Sequence, residues 1–226
     1  MVSPAADFNR IATVYDALKR LVFGQALERA QTVFLDRIPP GASVLIVGGG
    51  TGLLLEPLFI TNPQNRIVYL EASARMLTRA SRRMLNHQLP GTVEFRLGDE
   101  TTLQSGEWFD VVITPFVLDL FTEETLQTRL LPRLRRALKP GGQWLVTDFV
   151  PPVGYGQKIL IQSMIRFFRL TANIEACTLA DWQKLMTETG LQRRERQSQV
   201  NGLVSAEVWT ARFVPDSILL FGIAGR

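Results

Sequence analysis

The sequence predicts a doubly wound α/β fold, in which helices cover both faces of a mostly parallel β-sheet. Two observations lead to this prediction. Short runs rich in Val, Ile and Leu alternate along the chain with longer segments in which apolar residues recur at helical spacing. The first short run, residues 44–47, leads directly into a cluster of glycines over residues 48–52. A buried strand, a turn and a helix start in this order bring backbone N–H groups against an anionic ligand.

Length and composition indicate one globular domain. The chain has 226 residues with a mass of 25.4 kDa, and 46% of the residues are hydrophobic and 20% charged. This is enough for a sizeable core. The single cysteine, Cys177, excludes an internal disulfide framework and a thiolate metal cluster, and the single histidine, His87, excludes a histidine-based metal site. No metal is therefore expected.

The basic balance of the chain raises the question of a nucleic-acid or membrane partner, since the net charge is +4 and the pI about 9.6. The basic residues are scattered, and aromatic residues do not alternate with them as they do on RNA-binding strands. No nucleic-acid partner is expected. Charged residues interrupt the N-terminal region before an export signal could form, and no segment has the length of a spanning helix, so a cytoplasmic location is expected.

The elements follow one another in a simple order. After a loose lead-in over residues 1–10, two helices are expected between 11 and 38, interrupted at Gly24. Strands are expected at 44–47, 66–71, 93–97, 108–114 and 143–149, and two closing strands at 191–198 and 203–213. Helices are expected from 53 onward, over 72–87, 123–138 and 157–172, and from 178 to 190, with a turn at 139–142. The tail over 215–226 is not assigned.

The glycine spacing narrows the choice of ligand. Glycines at 48, 50 and 52 exceed what a tight turn without a ligand needs, although such a turn is the alternative. The dinucleotide pattern G-x-G-x-x-G would need a third glycine where Leu53 stands, which disfavours a nicotinamide-dependent oxidoreductase. Glu71 closes the second strand 19 residues after Gly52, close to the interval at which an acid binds a ribose diol. Capping the next helix is the alternative role of Glu71.

The glycine loop resembles the first motif of the class I S-adenosylmethionine-dependent methyltransferases. Four further segments are similar to that family in the same order: residues 70–73 with Met76, 98–100, 109–116 and 138–142. The resemblance covers residues 15–212. It implies a seven-stranded Rossmann-like sheet, S-adenosylmethionine as the cofactor, and a small-molecule acceptor. It also implies a division of the single domain into N-terminal helices (1–40), a cofactor-binding half (41–150) and a substrate side with closing strands (151–226).

The same resemblance implies roles for individual residues. Glu71 corresponds to the acid that binds the ribose hydroxyls, Met76 to the apolar residue beside the adenine, and Asp99 to the acid that reaches the adenine amino group. Tyr15 is expected either to close over the cofactor or to pack its own helix. The cofactor-binding residues implied in this way are Tyr15, Gly48, Gly49, Gly50, Gly52, Glu71, Ala72, Met76, Asp99, Glu100 and Thr114.

Within the class, residues 14–16, 48–52, 148–151 and 201–204 resemble the corresponding segments of the ubiquinone/menaquinone-biosynthesis C-methyltransferases. One position departs from the family. Ile46 stands where the family usually has an acidic residue that helps to hold the methionine end of the cofactor. This departure favours, as an alternative, a non-catalytic cofactor-binding or partner protein of the same fold. If the protein binds the cofactor, Ile46→Asp is expected to tighten binding, provided that the strand tolerates a carboxylate.

Candidate catalytic groups follow from the acceptor that is expected. The sulfonium is already activated, so the protein has mainly to align the acceptor and exclude water. A phenol or quinol acceptor could need a base, for which Asp148 and Asp119 are the candidates, with a structural or capping role as the alternative. The helix at 157–172 is apolar on more sides than packing requires. It predicts an apolar acceptor or a peripheral membrane contact, whereas a homodimer interface or burial under the C-terminal tail is the alternative.

Overall fold

The computed structural model describes residues 22–89 and 91–211. These residues form one seven-stranded sheet in the spatial order β3-β2-β1-β4-β5-β7-β6. Strands β1 to β5 are parallel, whereas β7 pairs antiparallel with both β5 and β6. The strands are β1 Ser43–Val47, β2 Arg66–Glu71, β3 Thr92–Leu97, β4 Phe109–Pro115, β5 Leu138–Phe149, β6 Leu191–Gln199 and β7 Val204–Ala211. The predicted doubly wound, mostly parallel α/β fold is confirmed.

Helices connect the strands and cover the sheet. The α-helices are α1 Ala26–Thr32, α2 Leu55–Thr61, α3 Ala74–Asn86, α4 Glu123–Thr125, α5 Leu131–Ala137, α6 Tyr155–Ala172 and α7 Trp182–Glu188. A π-helical turn, Leu126–Leu130, joins α4 to α5. Short 3₁₀ turns lie at Leu35–Arg37, Glu100–Thr102, Leu118–Leu120 and Val200–Gly202. Within the described ranges, no helix combines the length and the apolar character that crossing a bilayer requires.

Some predicted segments differ from the structure, and others lie outside the residues that it describes. The turn predicted at 139–142 lies inside the span of β5 as a bulge, since none of these residues pairs with a neighbouring strand. They lie where the pairing register of β4 and β5 shifts, between Phe109↔Leu138 and Val111↔Gln143, and Gly141 there has a φ of 73°. The extra residues are absorbed inside the strand. Residues 11–21 of the helix predicted before Gly24, which include Tyr15, and the tail over 215–226 lie outside the described residues.

Strand alternation divides the core into two layers. Leu45 and Val47 of β1 belong to the apolar cluster that also contains residues of α5 and α7. Val44 and Ile46 belong to the cluster on the other face, with residues of α2. This is the arrangement expected of a parallel sheet buried on both faces, since successive side chains point in opposite directions. The sheet thereby holds the carboxyl ends of its strands at one edge, where the candidate site lies.

Candidate functional site

A cavity opens at the carboxyl ends of β1, β2 and β4. It encloses about 970 Å³ of space, including its open mouth. Its polar side is formed by the glycine loop, Glu71, Asp99 and Glu100, and its apolar side by residues that follow β4. The predicted residues that line it are Gly48, Gly49, Gly50, Glu71, Ala72, Met76, Asp99 and Glu100. The structure therefore brings together most of the side chains that the sequence assigned to the cofactor.

Backbone geometry explains the glycines. A Cβ atom on Gly48 would lie 2.5 Å from Cγ2 of Val117, and the φ of Gly48 is +66°. Gly52 lies outside the cavity lining, and a Cβ atom there would lie 2.9 Å from Cα of Ala80. Gly48 is therefore needed for the turn itself, whereas Gly52 lets the loop pack closely on α3. Gly50 faces open space, with Sδ of Met76 as its nearest neighbour at 3.9 Å.

Glu71, the last residue of β2, joins the glycine loop to the start of α3. Its Oε2 accepts a hydrogen bond from the N–H of Gly50 and its Oε1 accepts one from the N–H of Ser73, both at 2.9 Å. Burial raises the pKa of Glu71, and these N–H donors oppose the rise. The N-cap of α3 is Ser73, whose hydroxyl accepts the N–H of Met76, so the alternative that Glu71 caps the helix is wrong. Glu71 supports the loop instead, and it also lines the cavity.

The segment after β3 contributes two acids in different environments. Asp99 is the N-cap of the turn Glu100–Thr102, and its Oδ1 accepts a hydrogen bond from the N–H of Thr101 at 2.9 Å. Glu100 is buried, and its Oε1 lies 2.7 Å from Nε of Arg129. Burial raises the pKa of Glu100, and the guanidinium of Arg129 opposes that rise. Arg129 also lines the cavity. No sequence pattern distinguishes Arg129 from the other arginines near it, at 133, 135 and 136.

Asp119 and Asp148 form a buried pair beneath the loop that follows β4. Burial raises the pKa of Asp119 to about 7, and burial together with the negative charge of Asp119 raises the pKa of Asp148 well above its usual value. Asp148 accepts backbone hydrogen bonds from Val117 at 3.0 Å, Leu118 at 2.8 Å and Phe149 at 2.7 Å. Neither carboxylate lines the cavity. The structure brings the two predicted bases together, but places them behind the residues that line the cavity.

Two further positions from the sequence prediction, Thr114 and Ile46, lie away from the cavity. Thr114 is buried, and its Oγ1 accepts a hydrogen bond from Nε1 of Trp144 at 3.0 Å. Ile46 is fully buried in the apolar cluster beside α2, so Ile46→Asp would bury a carboxylate there. The expected gain in affinity from that substitution stays a prediction. Tyr15 lies outside the described residues.

The apolar wall of the cavity comes from the loop after β4, which the sequence analysis did not assign to the site. Phe116, Val117, Leu120 and Phe121 contribute to it. The ring of Phe116 lies 5.3 Å from that of Phe149, and both belong to the cluster formed by the inner side of α6. Helix α6 is thus only one layer of side chains away from the cavity.

The chemistry of this lining suits a nucleoside attached to a charged amino acid. The loop offers backbone without side chains, Glu71 offers a carboxylate, and Met76 offers an apolar surface. The open space above Gly50 leaves room for a ligand to approach the backbone. Among residues 22–89 and 91–211, no group of three or more His, Cys, Asp and Glu side chains could hold a metal ion.

The chain is similar to known methyltransferases in sequence. The family described as methyltransferase domain matches residues 45–144. The ubiquinone/menaquinone biosynthesis C-methyltransferase UbiE of Ectopseudomonas mendocina is 32% identical over 154 residues, which are 66% of this chain and 58% of that protein. UbiE of Francisella tularensis subsp. holarctica is 25% identical, over 90% of this chain and 89% of that protein. The chain thus spans 58% of the length of the first relative.

Solved structures share the fold. An O-methyltransferase family protein from Burkholderia thailandensis superposes with a TM-score of 0.70 at 16% identity, covering 89% of this chain and 59% of that chain. A SAM-dependent methyltransferase from Aquifex aeolicus superposes with a TM-score of 0.63 at 15% identity, covering 90% and 97%. At these identities the likeness concerns the fold alone.

The ordered motifs, the matched domain and the relatives make the chain similar to the class I S-adenosylmethionine-dependent methyltransferases, and solved structures of such proteins share its fold. S-adenosylmethionine, the cofactor of that class, is the cofactor that the sequence predicted. Within the class, the chain is related to the ubiquinone/menaquinone biosynthesis C-methyltransferases. Both the class and the related group predicted from the sequence are confirmed.

Proposed function

We propose that this chain is an active methyltransferase, which moves a methyl group from S-adenosylmethionine to a small, apolar or aromatic acceptor. The observation that mainly supports the proposal is that the glycine loop, Glu71 and Met76 line one cavity together with an apolar wall. One side of the cavity suits the cofactor and the other suits an apolar acceptor.

In this proposal, the residues at the polar side hold the cofactor. Glu71 would accept hydrogen bonds from the ribose hydroxyls, since it lines the cavity and a carboxylate has more acceptor sites than its backbone N–H partners use. Ala72 and Met76 pack against the adenine, and Asp99 accepts a hydrogen bond from its amino group. The glycine loop would lie beside the methionine end, and Ile46, which stands in place of the family's acid, is buried away from the cavity.

The apolar side sets the acceptor. When bound, the cofactor supplies a methyl group on an activated sulfonium, so the protein has to align the acceptor and exclude water. Phe116 and Phe121 offer aromatic surface for a flat ring, and Val117 and Leu120 fill the space between. The names of the relatives, from ubiquinone and menaquinone biosynthesis, agree with a quinone-like acceptor.

The buried carboxylate pair has a positioning role in this proposal. Asp148 accepts the N–H groups of Val117 and Leu118, and Val117 belongs to the cavity wall. The pair thus fixes the loop that shapes the acceptor side. A role of Asp119 or Asp148 as the base for a phenol or quinol stays a prediction, which the pH profile of transfer by Asp119→Asn tests.

The test has two stages. Calorimetry with S-adenosylmethionine, S-adenosylhomocysteine and NADH should give binding of the first two and none of NADH. Transfer of a labelled methyl group should then occur to a prenylated hydroquinone and not to a polar catechol of similar ring size. If NADH binds instead, the methyltransferase proposal is wrong. Cofactor binding without transfer to any acceptor would favour the alternative that Ile46 suggests, a non-catalytic cofactor-binding protein of the same fold.

A further inference from the structure

Helix α6 exposes large apolar side chains on its outer face. Tyr155 is 81% exposed, Ile159 50%, and Leu170 84%. With 100° between successive residues, these three lie within about 60° of one another around the helix axis. Phe167, which is 37% exposed, lies beside them. We call this set (Tyr155, Ile159, Phe167 and Leu170) the outer apolar row. Several large apolar side chains gathered on one exposed face usually mark a contact surface.

The same helix is uniformly basic. Between Asp148 and Glu175 the sequence has no acidic residue, and its charged residues there are Lys158, Arg166 and Arg169. All three are exposed. The ion pairs formed among the described residues involve none of them. Three cations therefore lie along one helix without an acidic neighbour on it.

The cations and the apolar row lie side by side. Lys158 and Arg169 fall on one flank of the exposed face, and Ile159 and Leu170 fall on the other, with Arg166 between the flanks. An apolar strip edged by Lys and Arg is typical of a helix that lies in the plane of a membrane surface, because the apolar side chains enter the headgroup boundary while the cations face lipid phosphates.

We propose that the outer face of α6 binds the surface of an anionic lipid bilayer. The choice of occupant follows from charge. A symmetric dimer would bring the same patch of both copies together and so oppose the cations of one copy to those of the other. An anionic bilayer presents phosphates to all three cations and an apolar layer to the outer apolar row. This proposal goes beyond methyl transfer and does not depend on it.

Vesicle flotation of the whole chain tests the proposal. Vesicles of phosphatidylcholine mixed with phosphatidylglycerol should bind the protein, and binding should fall as salt is added. Vesicles of phosphatidylcholine alone should bind it weakly. Arg169→Glu should lower the affinity for the anionic vesicles by roughly fivefold or more, which is the scale for one cation near the surface. Leu170→Ser should also lower that affinity, because it removes an apolar side chain from the outer apolar row.

Matched controls come from α3, which also exposes a cation and an apolar residue. Leu85 is 73% exposed, and Arg82 is exposed as well. Leu85→Ser and Arg82→Glu make the same chemical changes on another face, and affinity should stay within about twofold of the unsubstituted chain. Circular dichroism should show that all four variants are folded.

Three results would overturn the proposal. The whole chain could bind anionic vesicles no better than neutral ones. The α3 variants could lose as much binding as the α6 variants, in which case the attraction would be a general effect of net charge. Light scattering could show a dimer that Leu170→Ser converts to a monomer while vesicle binding stays unchanged, and the face would then join two copies of the chain.

Discussion

Glu71 and Asp148 occupy similar positions at the ends of two parallel strands, yet only one of them faces the cavity. Glu71 is the last residue of β2 and Asp148 the next to last of β5. Both are buried and both accept backbone N–H groups from loops beside the cavity. Glu71 lines the cavity, whereas Asp148 does not. The position of an acid at a strand end therefore does not decide whether it can bind a ligand.

The difference lies in what surrounds each carboxylate. Glu71 accepts N–H groups of the glycine loop and of the start of α3, and it lines the cavity. In Asp148, Oδ2 accepts two N–H groups and Oδ1 a third, and Asp119 is a further neighbour. Asp148 is therefore enclosed by its own loop and by a second carboxylate, whereas a ligand in the cavity can reach Glu71.

The largest effect is expected from removing the carboxylate of Asp148. Asp148→Ala should lower the free energy of unfolding by roughly 3–5 kcal/mol, because three buried N–H groups lose their acceptor and relief of repulsion with Asp119 offsets only part of that loss. Denaturant unfolding followed by circular dichroism measures it. Asp148→Asn keeps one acceptor oxygen and should lose less than half as much. Equal stability of Asp148→Ala and the unsubstituted chain would contradict the structural role.

Removing the carboxylate of Glu71 should mainly lower the affinity for the cofactor. Glu71→Ala should weaken S-adenosylhomocysteine binding by roughly 1.5–3 kcal/mol, or about 10–150-fold, because it removes charge-assisted hydrogen bonds to the ribose and frees the N–H of Gly50. Calorimetry measures the change. Glu107→Ala, which removes a carboxylate paired with Arg96 outside the cavity lining, is the control and should leave affinity unchanged. An unchanged affinity of Glu71→Ala would remove Glu71 from the cofactor site.

The buried pair should also make stability depend on pH. The pKa of Asp119 is about 7 in the folded chain and ~3.9 when unfolded. Between these values the folded state holds a proton that the unfolded state has lost, so stability falls as pH rises through this window, by up to about 1.4 kcal/mol per pH unit. Thermal unfolding should therefore give a higher Tm at pH 5 than at pH 7.

Asp119→Asn tests the source of that dependence. The substitution removes one titrating group and also the negative charge that raises the pKa of Asp148. The rise in Tm from pH 7 to pH 5 should shrink in this variant. Asp110, whose pKa of about 2 lies below this range in the folded chain, does not contribute there. A Tm that changes equally in both proteins would assign the dependence to other groups.

Features that depend on local sequence pattern could be predicted, whereas features that depend on packing between distant segments could not. Strand periodicity and the glycine spacing were sufficient for the sheet and for the loop at 48–52, because both depend on local pattern. The acid Glu71 was found because it closes a strand at a known interval. The pairing of Asp119 with Asp148 cannot be predicted in this way, since it depends on how the turn after β4 packs against the end of β5, 29 residues further along the chain. The wall residue Phe121 and the cation Arg129 lack any distinguishing pattern, so only the packed structure places them in the cavity.

Thr114 gives the smallest expected effect and extends the comparison to the end of β4. The family resemblance assigned it to the cofactor, but its hydroxyl accepts the N–H of Trp144 inside the core. Thr114→Val keeps the shape of the side chain and leaves that indole N–H without an acceptor, which should cost about 1–2 kcal/mol of stability. Because Thr114 does not line the cavity, affinity for S-adenosylhomocysteine should change by less than about twofold. Calorimetry beside denaturant unfolding separates the two quantities. A loss of affinity as large as that of Glu71→Ala, with stability unchanged, would return Thr114 to the cofactor site and would show that a strand-end residue can serve a ligand while its own hydrogen bond is already made.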